Sequence, residues 1–279
     1  MRKLVLGGAQ FGDGYGSVVK TGKLSKENID EILLAAIQSG CNVCDLAMSY
    51  SNAIQNVAKS EMKSHFSFIN KISFRDWSAH FELEMINSLE MLGASKFEGI
   101  LIHDWAVLDG KERLSALNLL DSLKRNGITK NVGISVYDTE ELRNCSTGID
   151  IVQAPLNFYK RNFVKNRYAR NLMSTGVKFH ARSIFNQGIL LNLDNDIRSR
   201  FPELRDFELY CTSNNLSSIE GALSIFDNQD LFDSLVVGVS SASDLKAIIN
   251  SRRFSISNLQ NGWDYVYKQE ISDPRLWTN

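Results

Sequence analysis

The chain has 279 residues, 43% hydrophobic and 23% charged, a composition that excludes disorder, collagen-like repetition and low complexity for the whole. Lys and Arg number 31 against 32 Asp and Glu, a net charge of -1, so no basic field draws nucleic acid or anionic lipid non-specifically. With three prolines and no Gly/Ser/Pro-rich stretch there is no obvious linker, and residues 1–279 read as one domain that needs no disulfide or metal to hold a core.

The start, Met1-Arg2-Lys3-Leu4-Val5-Leu6-Gly7-Gly8, carries an apolar run too short for a secretory signal and reads as a first strand. No apolar run reaches the length that spans a bilayer, so no membrane association and a cytoplasmic location are expected. Near-continuous apolar runs predict strands at residues 3–7, 42–45, 66–71, 99–103, 131–135, 150–154, 177–181 and 234–238. Runs without alternation are the pattern of parallel strands covered on both faces.

Helical periodicity fills the gaps. Ser25 caps a helix whose Ile29, Ile32, Leu33 and Ala36 share a face, with Gly40 as its stop. Asp76 is the expected cap of the next, with Phe81, Met85, Leu89 and Leu92 inward and Gly93 at its end. Further helical patterns cover residues 114–123, stopped by Gly127, then 139–145, 165–174 and 218–226. Residues 186–230 are the least regular and are expected to hold an extra helix over the mouth.

Eight strand–helix units in about 250 residues fit a (β/α)8 TIM barrel. A doubly wound sheet is the rival, but Gly12, Gly14 and Gly16 have the wrong spacing for its G-x-G-x-x-G turn, and no helix follows at once.

Cys41-x-x-Cys44 enters an apolar strand after Gly40, and Cys145 and Cys211 stand alone; no His lies at finger spacing. Buried reduced thiols fit better than a zinc or redox site. The most basic window, Lys160 to Arg170, reads as a solvated helix face.

In barrels of this kind chemistry sits where strands end. Three predicted strands end on Asp45, Lys71 and His103, and Tyr50 follows Asp45 in the loop above the same mouth. A tyrosine hydroxyl, with a pKa of about 10, is a poor acid at neutral pH. A nearby lysine cation lowers that value, a carboxylate keeps the lysine charged and aimed, and a histidine orients a carbonyl oxygen beside the tyrosine. The set donates a proton to an oxygen gaining negative charge; with no nucleophile or redox group of its own, it needs a hydride from a cofactor.

At these residues the sequence resembles the aldo-keto reductases, which are NAD(P)H-dependent barrels. Matching stretches run in family order from Leu6-Gly7-Gly8-Ala9-Gln10-Phe11-Gly12 and Cys44-Asp45-Leu46-Ala47-Met48-Ser49-Tyr50, through Ile69-Asn70-Lys71, Leu101-Ile102-His103, Val132-Gly133-Ile134-Ser135 and Val152-Gln153-Ala154-Pro155. They continue through Ala181-Arg182-Ser183-Ile184-Phe185-Asn186-Gln187-Gly188 to Val236-Val237-Gly238-Val239-Ser240. The resemblance implies a carbonyl reductase acting on a small aldehyde, ketone or sugar. It implies Tyr50 as general acid, Lys71 as its modulator, Asp45 as partner of Lys71, and His103 as substrate orienter. It further implies Ser135 and Gln153 at the nicotinamide carboxamide, Arg182 where many members place a tyrosine against the ring, and residues from Ser183 through Phe185 to Gly188 along the pyrophosphate. Gly8, Gln10, Asp45, Gly238, Ser240 and Asp244 complete the implied cofactor contacts.

The departures imply a divergent branch, and the tail Asp273-Pro274-Arg275-Leu276-Trp277 resembles a form found in bacterial carbohydrate-pathway members, so a divergent, bacterial branch is expected. Leu46 stands for the usual threonine, Ser51 for glycine, Ile54 for glutamate and Val136 for asparagine, and the floor hairpin looks absent or truncated. Gly238 and Asp244 take the places where NADPH-selective members carry a lysine and an arginine, and Arg252 and Arg253 come too late to replace them. NADP(H) or NAD(H) with weak discrimination is therefore expected. Two alternatives compete: a non-catalytic, cofactor-binding scaffold or sensor subunit of the same fold, and a metal-dependent hydrolase, which His65, His80, His103 and His180 are too scattered to support. Substrate choice is expected to lie with residues 15–24, Trp77, Trp105 and the segment after Asn186.

Overall fold

The computed structural model describes residues 3–14, 22–143, 145, 148–251, 271, 276 and 277. Eight parallel strands close into one barrel in sequence order: β1 (Lys3–Gly7), β2 (Val43–Ala47), β3 (Ser67–Ile72), β4 (Phe97–Ile102), β5 (Thr129–Ser135), β6 (Ile151–Pro155), β7 (Lys178–Arg182) and β8 (Ser234–Gly238). β8 returns to pair with β1, with Val5 opposite Val236 and Gly7 opposite Gly238. The fold is the (β/α)8 barrel expected from the apolar runs.

Period-two alternation then sorts the interior into layers. Val43, Ile69, Leu101 and Ile151 form an apolar plug inside the barrel, separate from the larger core between strands and helices. Two residues further along three of those strands, on the same face, stand Asp45, Lys71 and Gln153. The polar layer thus rests on a dry floor. Close approach of β5 and β6 there depends on Gly133, because an added Cβ would meet the Ile151 carbonyl oxygen at 2.0 Å.

The first helices follow the expected punctuation. Helix α1 (Lys26–Gln38) is capped by Ser25, whose side chain accepts from the Asn28 N–H, and Gly40 turns the chain with φ 74°. A short helix not foreseen, α2 (Ala53–Ala58), follows the Tyr50 turn and buries Ile54. Helix α3 (Ala79–Leu92) is capped by Ser78, not Asp76: Ser78 Oγ accepts from the Phe81 N–H, and Gly93 ends the helix with φ 67°. Helix α4 (Gly110–Arg125) covers the 114–123 pattern.

Two expectations shrink. The 139–145 pattern yields only a 3-10 turn, Thr139–Leu142, closed by a reciprocal Asp138–Glu141 cap. The basic window is only partly a helix face: α5 (Arg167–Ser174) begins seven residues in, and Lys160 is buried with Nζ 3.8 Å from Asp138. Between β7 and β8 lie α6 (Asn195–Arg200) and α7 (Leu204–Ser213), two helices in place of one extra, and α8 (Ser218–Asp227), which covers the 218–226 pattern. Phe158, just past β6, packs on Phe207 and Tyr210 of α7, tying that helix to the mouth. Helix α9 (Ala242–Ser251) follows β8.

All four cysteines are free thiols, three of them buried. Burial raises Cys44 well above the usual thiol range, Cys145 to about 11 and Cys211 to about 12, so none of these three is a ready thiolate.

Candidate active site

Asp45 and Lys71 occupy the polar layer above the plug, 3% and 1% exposed. Asp45 lies in the middle of β2, which runs on to Ala47, and Lys71 is the penultimate residue of β3. Their register brings Lys71 opposite Ala47, one turn of the pleat from Asp45. Lys71 Nζ donates to Asp45 Oδ2, and Gln153 Nε2 donates to Asp45 Oδ1 at 3.1 Å. Both carboxylate oxygens are therefore satisfied, the condition under which a buried ion pair is tolerated.

The chain leaves β2 through a turn in which the Tyr50 N–H donates to the Ala47 carbonyl at 3.0 Å, and this brings the half-buried Tyr50 back over the pair. Lys71 Nζ lies 5.0 Å from the centroid of the Tyr50 ring. His103, one residue beyond β4, meets the same ring edge to face at 6.0 Å. Its Nδ1 is 3.2 Å from Ser49 Oγ. When that hydroxyl donates, the imidazole proton sits on Nε2, the nitrogen left to donate to a substrate oxygen. Burial, with Lys71 and Arg182 adding to it, lowers His103 to about 4, so the ring is neutral near pH 7.

The electrostatics of Tyr50 differ from the expectation that Lys71 brings its pKa down. Burial first and the Asp45 carboxylate second push the phenol above its usual range, and the opposing cation is Arg182. Lys71 is committed to Asp45, with its Nζ over the Tyr50 ring. At neutral pH Tyr50 is protonated, the form a proton donor needs.

Arg182 ends β7 and reaches across the end of β6. It donates to the Val136 carbonyl at 2.9 Å and to Ser183 Oγ at 3.3 Å, and its guanidinium carbon lies 4.3 Å from the centroid of the Tyr137 ring. Tyr137 and Ser49 were not singled out in the sequence. An aromatic residue two positions past a strand end was the available signal for Tyr137.

These groups border a cavity of about 530 Å³ at the C-terminal mouth. Asp45, Tyr50, Lys71, His103 and Gln153 line one part, with Gly8 and Gln10 beside them. Arg182, Ser183, Phe185 and Gly188 line a second, and Gly238, Ser240 and Asp244 a third. Ser135 alone of the expected residues does not border the cavity. It is buried beside Gln153 in register, and its Oγ has no hydrogen-bond partner. Trp105 is not a mouth residue either: it is buried, and its indole N–H donates to the Glu141 carbonyl at 3.1 Å. Trp77 packs on Phe81. Of residues 15–24 only 22–24 are described, and Arg252 and Arg253 lie outside the described residues.

Two features of the lining stand out, one in the loop after β7 and one beside Gly238. In the loop after β7, Ser183, Asn186, Gln187 and Gly188 all have left-handed backbone, φ 60°, 49°, 53° and 89°. Three non-glycine residues held there store strain of the kind found at ligand clamps. Between them, the N–H groups of Ile184 and Phe185 have no protein acceptor among the described residues. At the far end, Asp244 Oδ2 accepts from the Ser240 N–H at 3.1 Å, and Ser241 Oγ accepts from the Asp244 N–H at 3.1 Å. Gly238 leaves room for Gln10; an added Cβ would meet Gln10 Oε1 at 2.1 Å.

The family model described as Aldo/keto reductase family matches residues 3–262. The chain belongs to the aldo/keto reductase family. Among solved structures it is similar to two determinations of a putative aldo-keto reductase from Pseudomonas aeruginosa. They are 17% and 16% identical, cover 89% of each chain and have TM-scores of 0.63 and 0.65. It is also similar to an aldo-keto reductase from Bacillus halodurans in its holo form, at 15% identity and TM-score 0.70, over 91% of this chain and 87% of that one. At such identity these structures show the fold alone. No curated protein sequence matches the chain. As an aldo-keto reductase it is an oxidoreductase of a family that acts on small carbonyl compounds and generally uses nicotinamide cofactors. No described helix is long and apolar enough to cross a membrane.

Proposed function

We propose that this aldo-keto reductase reduces a small aldehyde, ketone or sugar carbonyl at Tyr50, with a nicotinamide dinucleotide lying along the cavity. The observation that carries the reading is the convergence of Tyr50, His103 and the Lys71–Asp45 pair on one cavity whose other parts suit a dinucleotide.

The lining fits such a cofactor. Gln153, whose Nε2 already donates to Asp45, borders the reaction end and suits a carboxamide, while Gln10 Oε1, a buried acceptor without a partner, borders the cavity beside Gly238. The strained loop after β7 offers the Ile184 and Phe185 N–H groups to a pyrophosphate. When bound, the cofactor supplies the hydride that no side chain here can provide.

The remaining chemistry belongs to the chain. His103 Nε2 and the Tyr50 hydroxyl receive the carbonyl oxygen between them. As negative charge develops there, the Tyr50 proton moves to it; an alkoxide is more basic than even this elevated phenolate. Arg182, the cation that opposes the rise in the Tyr50 pKa, offsets the charge of the phenolate left behind, and Asp45 holds Lys71 in its buried position at the ring.

At the adenosine end Asp244 suits a ribose diol and opposes a 2′-phosphate, while Ser240, Ser241 and Ser243 are neutral donors for one. NADH and NADPH then bind with affinities within about tenfold of each other. Titration of the protein with each, followed by a screen for carbonyl-dependent oxidation, tests the proposal. Binding of neither nicotinamide at millimolar concentration contradicts it.

A further inference from the structure

Among the described residues the cavity is bordered by two cations, Lys71 and Arg182, and two carboxylates, Asp45 and Asp244. Lys71 and Asp45 form an ion pair with each other. Asp244 sits at the opposite end, on the Ser240 N–H. Arg182 has no carboxylate at ion-pair distance among the described residues. Its partners are a carbonyl, a hydroxyl and the face of a tyrosine. The reaction end therefore carries one uncompensated positive charge.

That charge is fixed. The guanidinium lies over the Tyr137 ring and is tethered through both terminal nitrogens, to Val136 and to Ser183, contacts that hold it in place at the cavity wall. Its charge reaches the reacting groups: it opposes the rise that burial and Asp45 cause at Tyr50 and adds to the lowering of His103.

Hydride transfer to a carbonyl carbon held by Tyr50 and His103 needs the donor carbon within about 3–3.5 Å of it. The nicotinamide ring is then confined to the part of the cavity that Arg182 borders. In the reduction, a hydride and its electron pair leave the dihydronicotinamide for the carbonyl carbon, the C=O π pair takes the Tyr50 proton on oxygen, and solvent returns a proton to Tyr50. The nicotinamide ring is neutral before this step and carries one positive charge after it.

We propose that Arg182, held by Tyr137, makes this site select the reduced, neutral nicotinamide and disfavour the oxidised, cationic one, so that reduced cofactor enters in preference and oxidised cofactor leaves readily. The inference rests on the reading of this cavity as a nicotinamide site. Adenosine and pyrophosphate contacts are common to both redox forms, so they cancel in the ratio of dissociation constants, Kd oxidised over Kd reduced. That ratio isolates the ring and its neighbouring charge.

The experiment is direct titration of NADH and NAD⁺, by fluorescence or calorimetry, into the wild-type protein and into Arg182→Gln, Arg182→Tyr and Arg182→Lys. The ratio is expected to fall about tenfold in Arg182→Gln and in Arg182→Tyr, about 1.4 kcal/mol of differential binding. It stays within about threefold of wild type in Arg182→Lys, which keeps the charge and loses the planar fork. An unchanged ratio in both neutral variants overturns the inference, as does an equal fall in Arg182→Lys, which would assign the effect to shape. A wild-type protein that binds neither redox form defeats the nicotinamide reading itself. Binding of both forms with a ratio indifferent to Arg182 defeats the inference alone.

Discussion

Lys71 faces the ring of Tyr50, 5.0 Å from its centroid, while its ammonium is committed to the carboxylate of Asp45. Asp45 holds the lysine in that position against the ring. Removing the carboxylate leaves an ammonium buried without a counter-charge, the costly way to break a buried pair. Asp45→Asn is expected to destabilise the protein by about 3–5 kcal/mol in denaturant titration. The double variant Asp45→Asn/Lys71→Met recovers part of that loss. A double variant no more stable than the single one contradicts the pairing.

Acid sensitivity follows from His103. Its folded pKa is about 4 against about 6.5 in the unfolded chain, so the neutral ring is the folded form. Its contribution to stability is complete above about pH 6.5 and is lost as the pH falls from there toward 4. His180, buried in the barrel with Nδ1 unpartnered, is lowered in the same direction, also chiefly by burial. The thermal midpoint should fall across this window, and His103→Gln should flatten part of that fall. Superimposable acid limbs for wild type and variant contradict the assignment to His103.

In the proposed function, cofactor choice rests on Asp244, whose carboxylate accepts from the Ser240 N–H at the end of the cavity assigned there to adenosine. Asp244→Ser removes the repulsion and leaves a donor, so NADPH affinity is expected to rise about tenfold with NADH affinity unchanged or weaker. Calorimetric titration of both reads this out. A wild-type preference for NADPH of a hundredfold or more contradicts the placement of Gly238 and Asp244 against the ribose.

The barrel was legible because buried parallel strands write themselves as short apolar runs, and all eight fall within about two residues of the expected positions. The cap of α3 was not, since Asp76 and Ser78 are both good N-cap residues and only the Ser78 to Phe81 hydrogen bond decides between them. The 218–226 pattern gave α8, but two helices, α6 and α7, stand where one extra was expected, because short helices held by tertiary packing carry little period of their own. At the site, Asp45, Tyr50, Lys71 and His103 stood out as ionisable residues at or near strand ends. The Arg182–Tyr137 stack did not, because it bridges non-adjacent strands over β6 and depends on the reach of one side chain. The exchange of Lys71 for Arg182 as the cation lowering Tyr50 was hidden for the same reason.

The central claim is that Tyr50 delivers the proton. The direct measurement is kcat for carbonyl reduction by Tyr50→Phe beside the Kd of that variant for NADH and NADPH. The ring, and with it the shape of the cavity, is retained while the hydroxyl is lost. Turnover should fall by about 10²–10⁴-fold with cofactor affinity nearly unchanged. Wild-type turnover in Tyr50→Phe, with cofactor still bound, would place the proton donor elsewhere and contradict the mechanism.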